Sequence, residues 1–290
     1  MSSRATAVVS CIALLAGCAL GCGDDGGETA PAADGGAGGQ PGCEAPEVAL
    51  PDGSCMRPGV PPDGCAEGFV HDGSYGCEPI LPAEPCPYGL MAVPGEAECR
   101  PVMDCGAGRW GELPVDAATV YVDASYADGG SDGTDTRPFT TIGVAVAAAA
   151  PGALIAVAAG RYQEDVAIEG KPVRLWGRCP DMVEVAWVGV ELSALLITIH
   201  ATGTEVGGLS VGGTRTGISV SGSLDVSLER VWVRGSGLHG IDIADAFGAT
   251  SARVAGALVE QNYYAGVIIS GSEATVEGTL VRDTLPRATD

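Results

Sequence analysis

GLSVGGTRTGISVSGSLDVSLE (208–229), RVWVRGSGLHGIDIADAFGATSARV (230–254) and ALVEQNYYAGVIISGSEATVEG (257–278) are three versions of one unit, and LVRDT (280–284) opens a fourth. Val211, Val233, Val259 and Val281 fall at equivalent places, 22, 26 and 22 residues apart. Gly217-Ile218, Gly240-Ile241 and Gly266-Val267 open the second strand of each unit. Within strands apolar and polar residues alternate, as in Ile218-Ser219-Val220 and Ile241-Asp242-Ile243, which gives a half-buried strand. A unit of this length holding two or three short strands is what one coil of a β-solenoid needs. Coils then pair in parallel, and stacked Val and Ile fill the interior.

Short strands continue upstream: Val120–Val122, Leu154–Ala158, Val166–Ile168, Val173–Trp176, Val183–Val188 and Leu195–Ile199, almost all bounded by Gly or Pro. Thr140 to Ala150 reads as a helix, with Thr available as a cap and Pro151-Gly152 as the stop. The stretch VYVDASYADGGSDGTDTRPFTTIGVAVAAAAPGALIAVAAGRYQEDVAIEG (120–170) resembles the opening segment of the right-handed parallel β-helices of the pectin-lyase-like family. Pro138, Phe139, Thr141, Ile142, Pro151, Gly152, Ile155, Gly160 and Tyr162 carry that resemblance, which extends over about residues 118–290. It implies an all-β, right-handed parallel β-helix over 113–290 with an N-terminal capping helix. The fourth unit stops at Asp290, about half a coil in, so the reading expects a β-helix incomplete at that end or covered by another chain.

Upstream the chemistry changes. Residues 1–17 carry an early charge, Arg4, and an apolar run too short to span a bilayer, which suits an export signal. Leu15-Ala16-Gly17-Cys18 resembles the lipobox of bacterial lipoproteins, which implies lipidation of Cys18; Cys22 matches less well. Residues 18–42, rich in Gly, Ala, Pro and Asp, read as a flexible tether. Over 43–112, Cys43 to Cys55, Cys65 to Cys77 and Cys86 to Cys99 are spaced 12, 12 and 13 apart. Segments so poor in large apolar residues need cross-links to be ordered, and export permits disulfides. Cys105 and Cys179 lie outside the three repeats and suggest a bond between module and solenoid, although eight cysteines leave the connectivity open. No CxxC or CxxH spacing suggests zinc.

Composition bounds the partners. Acidic residues outnumber basic ones 37 to 15, and a net charge of −22 repels phosphate backbones, so nucleic acid is excluded as a partner. Glycine is 45 of 290 residues without a three-residue period, which rules out collagen. Many pectin-lyase-like enzymes cleave acidic polysaccharides, but the Arg-x-Lys run and adjacent aspartates of hydrolase members are missing from the strand region, and the sole lysine is Lys171. The sharpest catalytic candidates are His239, Asp242 and Asp245, since an imidazole beside a carboxylate can move a proton. Asp242 is expected to face outward from its strand. Asp128, Asp132 and Asp135 could gather calcium, without EF-hand spacing. Trp110, Trp176, Trp187 and Trp232 could stack sugars or pack at coil corners, Arg234, Glu260 and Arg282 read as a surface charge ladder, and His200 as a strand-end residue. The expectation is a lipid-anchored protein of the cell envelope, in the outer membrane or at the cell surface. It presents the β-helix as a non-catalytic surface for polysaccharide, another ligand or another envelope protein. The alternative is a polysaccharide lyase or glycoside hydrolase.

Overall fold

The structure is a computed structural model that describes residues 43–44, 47–186, 189 and 192–286. The expected export signal (1–17), Cys18, the expected tether (18–42) and Trp187 lie outside the described residues.

Two compact units divide the described chain: one holds residues 82–93 and 98 onward, the other residues up to 81 together with 94–97. In the smaller unit, Val48–Ala49 pairs antiparallel with Cys55–Met56, and Phe69–His71 with Cys77–Pro79. Disulfides Cys43–Cys55 and Cys65–Cys77 close these two hairpins. The third cysteine repeat divides differently. Its strands, Leu90–Met91 and Arg100–Pro101, and its disulfide Cys86–Cys99 belong to the larger unit. So does Cys105–Cys179, which ties the end of the cysteine-rich segment to the solenoid.

The larger unit is a parallel β-helix of three sheets. Val120–Val122, Leu154–Val157, Arg174–Gly177, Glu205–Gly207, Val226–Glu229, Ser251–Ala255 and Glu273–Glu277 form a seven-stranded sheet. Gly160–Tyr162, Val183–Ala186, Ser210–Gly212, Trp232–Arg234, Leu258–Glu260 and Leu280–Arg282 form a six-stranded one. Val166–Ile168, Ser193–Thr198, Thr216–Ser221, His239–Ala244 and Ala265–Ser270 form a five-stranded one. Val211, Val233, Val259 and Val281 are direct register partners, as the repeat alignment requires. So are Ile218, Ile241 and Val267. Leu175, Val206, Leu228 and Val254 stack on the third side, and all four are fully buried.

The periodic glycines have a steric cause. A Cβ on Gly217 would stand 2.6 Å from Cγ1 of Val233, and one on Gly240 2.8 Å from Cγ1 of Val259. The stacked valines therefore exclude any side chain at the start of the neighbouring strand.

Helix α1 (Ile142–Ala148) places Ile142, Ala145 and Val146 in the same core cluster as Val122, Ile155 and Val166 of the first coil. Its cap differs from the sequence expectation. Thr141 makes no side-chain cap bond; instead Glu164 accepts from the amides of Ile142 (2.7 Å) and Gly143 (2.8 Å). A carboxylate satisfies two free amides at the positive end of the helix, where one hydroxyl would satisfy one. At the other end Lys171 Nζ donates to the carbonyls of Ala147 and Ala149. The only lysine in the chain closes the only helix among the described residues.

Candidate functional site

The five-stranded sheet carries the catalytic candidates. Ile241 and Ile243 are fully buried, so Asp242 between them faces outward as expected. Its carboxylate lies 3.6 Å from Nδ1 of His239, the first residue of the strand. That separation exceeds a hydrogen bond, and Nδ1 has no partner although it is buried. The ring rests against Tyr264 with centroids 5.3 Å apart. Asp245 lies beyond the strand end, exposed, with its carboxyl group over Gly271. The structure thus brings His239 near Asp242 without orienting the pair for proton transfer. His200 sits in a turn at φ 64°, exposed, after the strand Ser193–Thr198.

The loop aspartates do not converge on a common point. Asp132 accepts from the amide and hydroxyl of Thr134 and pairs with Arg137. Asp135 accepts from the indole of Trp110, and Asp128 is exposed. Among the described residues no three His, Cys, Asp or Glu side chains stand close enough to hold a metal ion. Asp123, behind this loop, is buried. Burial alone would raise its carboxyl, but hydrogen bonds from Ser125 and Arg109 hold it below its ordinary range.

Three tryptophans pack rather than offer platforms. Trp110 lies on Tyr121, with centroids 4.8 Å apart. Trp176 is buried among Leu113, Leu154 and Ala156, and Trp232 among Met91, Val102 and Leu258.

The charge ladder of Arg234, Glu260 and Arg282 is correct in register and wrong in exposure. The three residues are neighbours on successive coils, yet Glu260 is 0% exposed. Residues 86–93 and 98–101 lie across this face, so outward is not the same as exposed. Glu260 Oε1 accepts from Gly89 N and Trp232 Nε1, both at 2.9 Å. Its Oε2 accepts from Arg282 Nε (2.8 Å), and Arg282 also donates to the carbonyls of Cys86 and Pro87.

Beside residues 86–93, the six-stranded sheet opens into a groove of about 330 Å³. Ala186, Gly212, Gly213 and Gly235 contribute no bulk, while Tyr88, Arg161, Glu184, Thr214 and Arg234 supply its functional groups. Ser210 and Gly212 are the register partners of Trp232 and Arg234. Of the two, Gly212 lines the groove, and no side chain stands there where the next coil carries Arg234. Glu184 faces both Arg161 (3.4 Å) and Arg234 (3.5 Å). Arg234 lies over the Trp232 ring at 4.3 Å, and its NH1 points to the Tyr88 hydroxyl at 3.5 Å. Sequence reading missed this site, although aligning Gly212 with Arg234 carries its signal.

No family model and no curated protein matches the chain. Among solved structures, pectin methylesterase in complex with hexasaccharide VII is similar at 15% identity and a TM-score of 0.36, over 50% of this chain and 55% of that one. A single-residue mutant of pectin methylesterase in complex with hexasaccharide IV is similar at 15% identity and a TM-score of 0.37, over 59% of this chain and 66% of that one. The chain therefore spans little more than half the length of the first.

Proposed function

We propose that this chain is an exported protein, anchored to the cell envelope through a lipid on Cys18, that presents its β-helix as a non-catalytic surface for binding glycans. The observation that carries the reading is the composition of the groove beside the hairpin. An aromatic ring, a threonine hydroxyl, two guanidinium groups and a floor of small residues are recognition chemistry. Its lining holds one carboxylate, Glu184, and no Ser, Cys or His, so no carboxylate pair lines it. Four disulfides in the described residues support an oxidising compartment.

A glycan array, run beside assays for new reducing ends and unsaturated products, tests the surface. Binding without product is expected, and Tyr88→Ala should weaken it by about tenfold, the usual effect of losing a central aromatic contact. Turnover by the purified protein would favour a lyase or hydrolase instead. The anchor is tested separately. Intact mass of membrane-extracted protein should show an acylated N-terminus at Cys18, and a mature chain starting elsewhere would overturn it.

A further inference from the structure

We infer that the groove receives the oxyanion of a sugar derivative, carboxylate or phosphate, between Arg161 and Arg234, with Tyr88 and Thr214 beside the sugar. This rests on the binding-surface reading above and adds the ligand class.

The groove holds unspent donors. Charge-assisted guanidinium–carboxylate bonds run at about 2.7–2.9 Å. Three partly buried pairs close them: Arg282 to Glu260 at 2.6 Å, Arg109 to Asp123 at 2.6 Å and Arg174 to Glu205 at 2.9 Å, whereas the more exposed Arg57–Glu47 pair stays at 3.8 Å. In the groove both arginines stand 3.4–3.5 Å from Glu184, facing the carboxylate without closing on it. Arg234 Nε is buried and has no hydrogen-bond partner. An unpaired buried N–H of a charged group is costly and calls for an acceptor.

These donors are also preorganised. Arg234 is stacked on Trp232, which is itself buried, so little freedom is lost when its donors engage a ligand. Gly212 is the partner of Arg234 on the preceding strand, and Gly213 and Gly235 line the groove with it, so no side chain stands over the donors from these positions. The lining carries Arg161 and Arg234 against Glu184, and Asp181 interacts electrostatically with Arg234 from outside the lining. What the groove offers an anion is therefore guanidinium N–H donors rather than a net positive charge. Glu184 is then an internal competitor, holding the place that a ligand oxyanion takes.

The experiment titrates the purified protein with glucose 6-phosphate, glucuronic acid and glucose, followed by calorimetry. At least one acid is expected to bind about tenfold more tightly than glucose, as fits an ion-paired contact. Preference for the phosphate or for the carboxylate identifies the source of the oxyanion. Arg161 is 62% exposed, so Arg161→Ala should fold normally and lose about tenfold in acid binding. Glu184→Gln should strengthen acid binding by about threefold, because it removes the competing charge. A purely structural Glu184 predicts no gain. Glucose binding as well as both acids, or Glu184→Gln weakening them, overturns the oxyanion site. Array binding that persists while neither acid binds overturns this site and leaves the broader surface reading standing. Acid binding with a blank array does the reverse.

Discussion

Replacing Glu260 with alanine is expected to lower the unfolding free energy by about 3–5 kcal/mol, the range for breaking a buried ion pair from one side. The carboxylate is 0% exposed and satisfies Gly89 N, Trp232 Nε1 and the Arg282 guanidinium together. Its loss leaves Arg282, whose side chain is only 18% exposed, without its buried counter-charge, and leaves two N–H groups with no acceptor. Urea unfolding measures the stability, and hydrogen exchange across 86–93 and 98–101 should show the hairpin opening before the coils. Glu260→Gln should fall in between, because an amide oxygen still accepts from neutral donors but does not balance Arg282. Arg253→Ala is the control. Arg253 joins Glu229 and Glu277 at a surface where all three side chains are 36–51% exposed, and such networks contribute about 0–1 kcal/mol. A loss at Glu260 no larger than at Arg253 would mean that water enters under the hairpin and replaces the carboxylate.

The contrast between these two carboxylate sites marks where sequence reading stops. Period-two alternation fixes which side chains leave the solenoid, and the outward side of Asp242 and the inward side of Ile241 follow directly. It does not say what lies on the outer face. Glu260 alternates as Asp242 does, and its burial comes from a hairpin about 170 residues upstream, a non-local contact that no local pattern encodes. The valine rungs were legible because each coil repeats the same steric demand, down to the glycine that a stacked valine requires. Helix capping was half legible: the position of α1 shows in TTIGVAVAAAA, but its caps come from Glu164 and Lys171, both outside the helix. The strand Gly160–Tyr162 has three residues and begins with glycine, too little for a periodicity to register. The groove escaped for a related reason. It is lined by Gly212 where the following coil has Arg234, and an absence of bulk is visible only against that coil.

Removing Cys105–Cys179, as Cys105→Ser with Cys179→Ser, is expected to destabilise the solenoid by about 4 kcal/mol, from the chain entropy of a loop of this size. The bond spans 74 residues and encloses α1 and the first strands of all three sheets. It anchors a segment whose Met103, Trp110 and Leu113 pack with Leu154, Ala156 and Trp176 on the seven-stranded sheet. Arg178 reinforces the same junction through the carbonyls of Cys105 and Gly106. With the bond gone, these contacts must hold the segment against the freedom of the whole loop. Cys43–Cys55 is the comparison, because it spans 12 residues and closes a single hairpin of the smaller unit. Its removal should disorder that hairpin and leave the solenoid transition in place. Tryptophan fluorescence during urea unfolding separates the two, since Trp110 and Trp176 lie at the Cys105–Cys179 junction. Equal transitions for the two double variants would mean that packing and the Arg178 bonds alone set the solenoid's stability at this junction.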